Sequence, residues 1–355
     1  MLAPLRSTVR ATIRRRGLFG RGARVLVACS GGPDSVVLTD VLVDLSAELS
    51  LSLAVASVDH GLRAESPAEV EHVRALCAGW GVSFHALRLE LVRGPGLQAR
   101  AREARYAALM ALRNELSADV LAVGHTRDDQ AETVLSRVLR GSGVRGLRGI
   151  WPSRPDQVVR PLIDCSRADV LAHLSARGTL ADQQGRNVLA AVRDPSNDDP
   201  AFERVRLRHE TLPALRAEDP EVLRHLAELA DDARDLVELA ERGGADLLAA
   251  ALEIVDGQRA VAVAPLRDAP RALRREALRQ LLTSAAGGTL HAGRAHLVEL
   301  EHAVLAGPGA HVLVGRGVSY RREGHLLREL QATGGTEHER GGLRPGSEET
   351  TKLCI

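Results

Sequence analysis

Short apolar segments alternate with helical segments four times between residues 25 and 140, and this alternation constrains the fold more than any other feature of the sequence. Buried strands are predicted at 25–29, 53–58, 82–89 and 120–124. Helices are predicted after each of them, at 35–49, 66–79, 97–116 and 128–140. Strands that alternate with helices pair in parallel, because a helix makes each return crossover. The sequence therefore predicts an α/β fold with a doubly wound parallel sheet.

The pattern changes after residue 216. Apolar positions between 222 and 240 recur at helical spacing, and Gly243-Gly244 is predicted to end that helix. A short strand at 260–264, helices at 269–284 and 293–306, and a hairpin over 311–328 are predicted next. We expect three parts, namely a catalytic domain over residues 1–216, a smaller and mainly helical domain over 217–331, and a flexible polar tail over 332–355.

A glycine-containing loop between the first predicted strand and helix is the strongest candidate site. It reads Ser30-Gly31-Gly32-Pro33-Asp34-Ser35. Glycines allow the backbone to approach a ligand closely, and the free N–H groups at a helix start attract anions. Asp34 would suit a Mg²⁺ ion among phosphates. The loop predicts a phosphate site, and a tight turn capped by serine is the structural alternative.

Several classes of protein are excluded by composition. Lys352 is the only lysine, so the Gly-Lys-Ser/Thr element of a Walker A loop is absent. Aromatic residues make up 2%, which argues against recognition by stacking aromatics. No apolar run approaches the roughly 20 residues that span a bilayer. The four cysteines are scattered without a Cys-x-x-Cys pair, so we expect no disulfide framework and a cytoplasmic location.

Positive charge is concentrated in the half of the chain that carries the motifs. Residues 1–216 contain 30 arginines and 24 acidic residues, whereas residues 217–355 contain 17 basic and 22 acidic residues. The first 24 residues hold seven arginines and no acid, which predicts a surface helix with a basic face rather than a transit peptide. Arginine suits bidentate contact with phosphate, although a solvated arginine-rich surface is the alternative.

The Ser30–Ser35 loop resembles the PP-loop of the N-type ATP pyrophosphatases. In that superfamily the loop holds ATP, which is cleaved between its α and β phosphates. The resemblance implies that ATP is a substrate and that Mg²⁺ accompanies it, with Asp34 as the candidate metal ligand.

Later motifs resemble those of the tRNA(Ile)-lysidine synthase family across roughly residues 20–216. The second and fourth predicted strands are followed by Val58-Asp59-His60-Gly61-Leu62-Arg63 and Gly124-His125-Thr126-Arg127-Asp128-Asp129-Gln130-Ala131-Glu132-Thr133. Further along lie Arg140-Gly141-Ser142-Gly143, Asp194-Pro195-Ser196-Asn197 and Arg204-Val205-Arg206-Leu207-Arg208. In the last motif Val205 stands where the family has an asparagine, which leaves the local role of that position open.

The resemblance implies a ligase that forms a C–N bond. Its substrates would be ATP, free L-lysine and the wobble cytidine of an isoleucine tRNA with a CAU anticodon. The cytidine would be adenylated and then attacked by lysine, so that lysidine, AMP and pyrophosphate are formed. The codon read would change from AUG to AUA. Family members are often dimers, so a homodimer is an expectation, and the domain over 217–331 would bind tRNA.

The resemblance also assigns roles to individual residues. ATP binding is expected from Ser30, Gly31, Gly32, Pro33, Asp34, Ser35, Asp59, His60, Gly124 and His125. Lysine binding is expected from Arg105 and from Asp129 and Glu132, which are three apart and share one helical face. Candidate catalytic residues are Asp34, Asp129, Arg204 and Arg208, with either aspartate as the base for the lysine amine. Independently of the resemblance, the glycines and the absence of acids over 137–148 predict a mobile loop whose Arg137, Arg140, Arg145 and Arg148 contact tRNA phosphates or close over ATP, with a merely solvated loop as the alternative. Asp128 is expected to cap its helix.

Two other functions remain open on this fold. A tRNA 2-thiolation enzyme would need a thiol pair or an iron–sulfur site, and the absence of Cys-x-x-Cys argues against it. A non-catalytic module that binds nucleotide or tRNA is the second alternative, and the presence of Asp34, Asp129 and Glu132 argues against it.

Overall fold

The computed structural model describes residues 3–59, 61, 66–89, 94, 96–178, 191, 203–285, 294–315 and 318–331. The predicted ligand His60, the Asp194-Pro195-Ser196-Asn197 motif and the predicted tail over 332–355 lie outside these residues. The chain divides into two compact units, Met1–Asp235 and Leu236–Ile355, and each is described by itself. Among the described residues, no helix combines the length and the apolar character that crossing a membrane would require.

The first unit is built on a parallel sheet in the order β3-β2-β1-β4-β5. Its strands are β1 (Arg24–Ala28), β2 (Ser52–Asp59), β3 (Ser83–Arg88), β4 (Val120–Ala122) and β5 (Val158–Val159). Its first helices are α1 (Ala3–Arg15), α2 (Pro33–Leu49), α3 (Ser66–Trp80), α4 (Leu97–Glu115), α5 (Arg127–Leu139), α6 (Val144–Leu147) and α7 (Arg167–Gly178). The predicted doubly wound parallel sheet is confirmed. The two-residue β5 was not predicted, because it is too short to show a periodic pattern.

Strand order explains where a ligand can bind in this unit. The chain adds strands on one side of β1 and then returns to pair β4 on its other side. The connections that leave β1 and β4 therefore diverge, and a crevice opens at the carboxyl ends of these two strands. Both motif-bearing connections, at 29–32 and 123–126, lie at this position. Helix α2 is fixed there because its apolar face, which includes Val36, Val37 and Leu42, is fully buried.

The remaining helices follow α7. They are α8 (Glu203–Arg206), a π-helical turn (Leu207–Thr211), α9 (Leu212–Glu218), α10 (Val222–Ala251), α11 (Val263–Asp268), α12 (Arg271–Ala285) and α13 (Arg294–Leu305). The basic N-terminal helix predicted from the arginine spacing is confirmed as α1, and its Arg6 and Arg10 both pair with Glu48 on α2.

The second unit contains a five-stranded antiparallel sheet. The sequence predicted only one short strand and one hairpin in this region. The sheet order is β6-β7-β10-β9-β8. Its strands are β6 (Leu252–Val255), β7 (Gln258–Ala262), β8 (His311–Gly315), β9 (Val318–Glu323) and β10 (Leu326–Gln331). The sheet and helices α11, α12 and α13 enclose one core that includes Leu278, Leu282, Leu300 and Tyr320.

The prediction that Gly243-Gly244 ends a helix is wrong, because α10 continues to Ala251. Both glycines face α12 at very short range. A Cβ on Gly243 would lie 2.8 Å from a methyl carbon of Leu273, and one on Gly244 would lie 2.7 Å from Cγ of Glu276. These glycines therefore allow two helices to approach each other and do not terminate one.

We expect Gly244→Ala to destabilise the protein by about 1–3 kcal/mol, because the new methyl group overpacks a site with backbone 3.0 Å away. This loss opposes the gain of roughly 1 kcal/mol that alanine normally brings to a helix interior. Gly79→Ala is the matched control and should stabilise, since Gly79 lies in α3 and a Cβ there would have nothing within 4 Å of it. Urea unfolding of both variants measures the difference, and equal stabilisation would contradict the packing argument.

Candidate active site

The Ser30–Ser35 loop joins β1 to α2, and hydrogen bonds of Ser35 fix its conformation. The backbone N–H of Ser30 donates to Oγ of Ser35 at 3.1 Å, and the Ser35 hydroxyl donates to the Gly32 carbonyl at 2.9 Å. Gly31 has a φ of +83°, which glycine adopts without strain. The helix begins at Pro33 with Gly32 as N-cap and no side-chain cap. No serine side chain therefore caps the helix, although Ser35 does tie the turn together.

Gly124 brings the connection after β4 against this loop. A Cβ at Gly124 would lie 3.0 Å from both the carbonyl carbon and oxygen of Asp34, and 3.1 Å from the Ser35 nitrogen. These contacts are tighter than side chains normally make with rigid backbone. Glycine at this position therefore serves close packing of the two connections, which places His125 and α5 beside the loop.

A cavity of about 610 Å³ lies where these connections diverge. Its wall includes an apolar side formed by Ala28, Ala56, Val58, Leu109 and Val123. Charged and polar groups from the loop, the connection after β4, α4, α5, α7, α8 and the π-helical turn line the rest, among them Ser30, Asp34, Ser35, Gln98, Arg105, His125, Asp129, Arg167, Glu203, Arg204 and Arg208. A pocket of this size with one apolar wall and convergent charges suits a small organic anion such as a nucleotide.

Asp34 is a half-buried acid with one engaged oxygen. Its Oδ2 accepts a hydrogen bond from Arg167 at 3.0 Å, whereas its Oδ1 is buried and has no hydrogen-bond partner in the described part of the chain. Burial raises the pKa of Asp34 to about 6; the negative charges of Asp129 and Asp128 add to this effect and Arg167 opposes it. A carboxylate with one orphaned oxygen, on a residue that lines the cavity, can hold a cation.

Arg167 was not predicted from the sequence. It is the first residue of α7, and its backbone N–H donates to Oδ2 of Asp128 at 2.8 Å. The prediction that Asp128 caps its own helix is wrong, because Thr126 and Asp129 form the capping box of α5. The Asp128 carboxylate instead accepts a hydrogen bond from the first residue of α7. A sequence signal existed, since Ser166 and Asp169 have the spacing of a capping box and form one.

Asp129 and Glu132 form a buried acidic pair, and both are bound by arginines. Arg204 donates to Asp129 and to Glu132 at 2.6 Å each. Arg208 donates to Oε1 of Glu132 at 2.6 Å and to Oδ1 of Asp129 at 3.2 Å. Burial favours the neutral form of Asp129, but Arg204 and the other positive partners outweigh it and lower its pKa. The structure therefore joins two groups of predicted residues that are more than 70 positions apart.

His125 lines the cavity as a neutral side chain. Burial lowers the pKa of His125 to about 3, and the charge of Arg160 acts in the same direction. Arg160 donates from Nε to Nδ1 of His125 at 3.3 Å, so the proton of the neutral imidazole resides on Nε2. His125 is therefore a hydrogen-bond donor at this wall. Arg160 is itself buried and was not predicted.

Of the remaining predicted site residues, some line the cavity and others do not. Arg105 lines the cavity and lies 5.6 Å from the ring centre of Tyr106. Asp59 is absent from the described cavity wall, and its Oδ1 accepts from the Gly61 N–H at 2.8 Å in a turn at the end of β2. Glu132 is also absent from that wall and contacts it through the two arginines.

The arginine segment at 137–148 is not the mobile loop that its glycines suggested. Residues up to 139 belong to α5, and α6 follows at Val144–Leu147. Arg137 donates to the carbonyls of Gly146 and Gly149, which folds the segment back on α5. Arg148 donates to the Arg145 carbonyl at 2.9 Å and lies over the ring of Trp151. Arg140 is exposed and pairs with Glu203.

Comparison with known proteins identifies the family. The family described as PP-loop domain matches residues 8–215. A tRNA(Ile)-lysidine synthase from Thermobifida fusca is 35% identical over 336 residues, covering 92% of this chain and 97% of the relative. Proteins of the same name from Geobacillus kaustophilus and Novosphingobium aromaticivorans are 35% and 45% identical, covering 79% and 52% of this chain. The chain spans 60% and 55% of the length of those two relatives.

A solved structure supports the fold. The U34-tRNA thiolase NcsA from Methanococcus maripaludis, solved with its [4Fe-4S] cluster, superposes with a TM-score of 0.52 at 19% identity. The match covers 66% of this chain and 78% of the thiolase. At this identity the likeness concerns the fold alone. On the family match and the relative of nearly equal length, the chain belongs to the PP-loop family and, within it, to the tRNA(Ile)-lysidine synthases.

Proposed function

We propose that this protein ligates L-lysine to C2 of the wobble cytidine in a CAU-anticodon isoleucine tRNA in a reaction that consumes ATP. In the first step the cytidine O2 attacks the α-phosphorus, and pyrophosphate leaves with the electrons of the broken P–O bond. In the second step the lysine ε-nitrogen attacks C2, the C2–O bond breaks and AMP leaves. The amine gives up a proton during this attack. One observation carries the proposal, namely that the PP-loop, Asp34 and Asp129 line a single cavity in a chain of this family.

Residues around the cavity divide the tasks of binding and charge stabilisation. Backbone N–H groups at the start of α2 and the Ser30 hydroxyl face the phosphates. Arg167 offsets the negative charge that develops on them, and the Nε2–H of His125 donates a further hydrogen bond. Asp129 and Glu132 hold an ammonium group of lysine. Asp34 and Asp129 both line the cavity, and either could accept the amine proton.

Mg²⁺ fits this site through Asp34. Protein-bound Mg²⁺ is commonly held by one or two carboxylates together with substrate phosphates. The unpartnered Oδ1 of Asp34 supplies one such oxygen, and the described residues contain no cluster of three or more metal-binding side chains. When bound, the ion would neutralise charge on the phosphate oxygens.

The thiolation alternative is disfavoured by the cysteines. Cys29, Cys77 and Cys165 are buried, and burial raises the pKa of the Cys77 and Cys165 thiols to about 12 and that of Cys29 above its usual value. Sulfur transfer and iron ligation use thiolates, which such environments suppress. Cys354 lies outside the described residues.

The decisive experiment follows label from lysine into RNA. The protein is incubated with ATP, Mg²⁺, labelled L-lysine and a CAU-anticodon isoleucine tRNA transcript. We expect one label per tRNA and equal amounts of AMP and pyrophosphate. The control transcript carries uridine at the wobble position and should remain unlabelled. Pyrophosphate release without lysine incorporation would contradict the proposal and indicate a different nucleophile.

A substitution of Arg140 tests the proposed contact with tRNA. Its side chain is exposed, whereas Arg137 is engaged by backbone carbonyls and its replacement would disturb the fold. We expect Arg140→Gln to weaken tRNA binding by about two- to fivefold. The slope of log affinity against log salt concentration should become shallower by roughly one. Filter binding at several salt concentrations measures both quantities. Arg74→Gln, which replaces an exposed arginine on α3, is the control, and equal effects of the two changes would contradict a specific contact.

A further inference from the structure

Every oxygen of the acidic pair already has a donor. Oδ2 of Asp129 accepts from the backbone N–H and the hydroxyl of Thr126, at 2.7 and 3.1 Å. Oδ1 of Asp129 accepts from Arg204 and Arg208. Oε1 of Glu132 accepts from Arg208, and Oε2 accepts from both arginines. Both side chains are also buried, so an ammonium group can reach this pair only by displacing an existing donor.

Charge balance leads to the same conclusion. Two carboxylates and two guanidinium groups form a cluster with no net charge. A further cation would enter a buried region with an excess positive charge, which is unfavourable where solvent screening is weak. If one guanidinium left, the cluster would carry one negative charge, and an ammonium group could replace it.

Arg204 is better able to leave than Arg208. The side chain of Arg204 is 54% exposed and that of Arg208 is 20% exposed. Arg204 makes two hydrogen bonds to the pair from the four-residue helix α8, whereas Arg208 makes three from a turn that continues into α9. Both arginines line the cavity that contains the PP-loop, so a nucleotide triphosphate there would offer a second anionic partner to Arg204, which is the more exposed of the two.

We propose that Arg204 couples nucleotide binding to amino-acid binding. Without nucleotide it neutralises Asp129 and Glu132 and occupies the position of the lysine ammonium. When a triphosphate enters the cavity, Arg204 transfers to a phosphate oxygen and exposes the negative charge that lysine requires. This inference rests on the proposed function, because it assumes that lysine binds the acidic pair. Coupling of this kind is reciprocal, so lysine also strengthens nucleotide binding.

Calorimetry on the full-length protein tests the coupling without any variant. L-Lysine is titrated in the presence and absence of the ATP analogue in which a methylene group replaces the α,β-bridging oxygen, so that no cleavage occurs. We expect lysine to bind about tenfold more tightly with the analogue, and the analogue to bind about tenfold more tightly with lysine. Equal lysine affinity in both conditions would overturn the coupling and leave the lysine site intact. No lysine binding in either condition would overturn both.

Arg204→Gln separates coupling from a structural role. We expect this variant to bind lysine without the analogue to within about twofold of the analogue-bound wild type, and to bind the analogue more weakly. A merely structural arginine would reduce both affinities, and that result would contradict the proposal. Arg74→Gln removes an exposed arginine outside the cavity and should retain the wild-type coupling. Circular dichroism verifies that each variant is folded.

Discussion

Replacing Asp34 by asparagine is expected to reduce AMP formation at least a hundredfold and at the same time to stabilise the protein at neutral pH. The loss of activity follows because the amide removes the negative charge of a side chain that lines the proposed nucleotide cavity. The stabilisation follows because the wild-type protein must keep a half-buried, partly desolvated carboxylate ionised above its raised pKa. Functional groups held in unfavourable environments commonly show this opposition of stability and activity.

The pH dependence of this stability has a definite direction. The pKa of Asp34 is about 6 in the folded protein and 3.8 as the ordinary value. The folded state therefore binds the proton more tightly than the unfolded state. The free energy of unfolding should fall as pH rises from about 4 through about 6, by up to about 3 kcal/mol.

Urea unfolding between pH 4 and pH 8, with EDTA present and nucleotide absent, measures this effect. The wild-type protein should lose stability over that interval relative to Asp34→Asn, and the difference should be constant above about pH 7. Asp44→Asn provides the control, since Asp44 lies on the same helix in a surface ion pair with Arg177. If Asp34→Asn were less stable than wild type at pH 7.5, the ion pair with Arg167 would dominate over burial.

The sequence predicted the sheet of the first unit because its strands are short and largely apolar and most of them are followed by a periodic helix. It predicted less of the second unit, where strand β6 exposes most of its side chains and lacks an apolar pattern. A usable signal was present there. Asp256-Gly257 has positive φ at both residues and joins β6 to β7 as a two-residue turn, which is a strong indicator of a hairpin.

The candidate site was predictable where one motif contained all of its members. The PP-loop, Gly124 and the Asp129/Glu132 pair are each local in sequence, and the structure places the loop, Gly124 and Asp129 along one cavity. Partnerships across the chain were not predictable from one sequence. Arg167 pairs with Asp34 across 133 positions, and Arg204 pairs with Glu132 across 72. Such pairs depend on which helix starts meet at the sheet edge, and composition and periodicity do not encode that.

Glu132→Gln is expected to destabilise the protein by about 2–4 kcal/mol and to abolish measurable lysine incorporation. Glu132 is 1% exposed and accepts three hydrogen bonds from Arg204 and Arg208. Glutamine has the same shape but no charge, and its amide NH₂ cannot accept from a guanidinium. The half-buried guanidinium of Arg208 would lose two of its three hydrogen bonds to carboxylates, and removing one partner of a buried ion pair typically costs several kcal/mol.

Glu48→Gln is a closely matched control for this change. Glu48 also pairs with two arginines, Arg6 and Arg10, but its side chain is 36% exposed. Because water can replace the lost interactions, we expect no more than about 1 kcal/mol of destabilisation and unchanged lysine incorporation. Adding Arg208→Gln to Glu132→Gln should restore part of the stability, since the uncompensated charge is then removed, but not lysine incorporation. Equal destabilisation by Glu48→Gln and Glu132→Gln would show that burial does not strengthen the interaction of Glu132 with its two arginines.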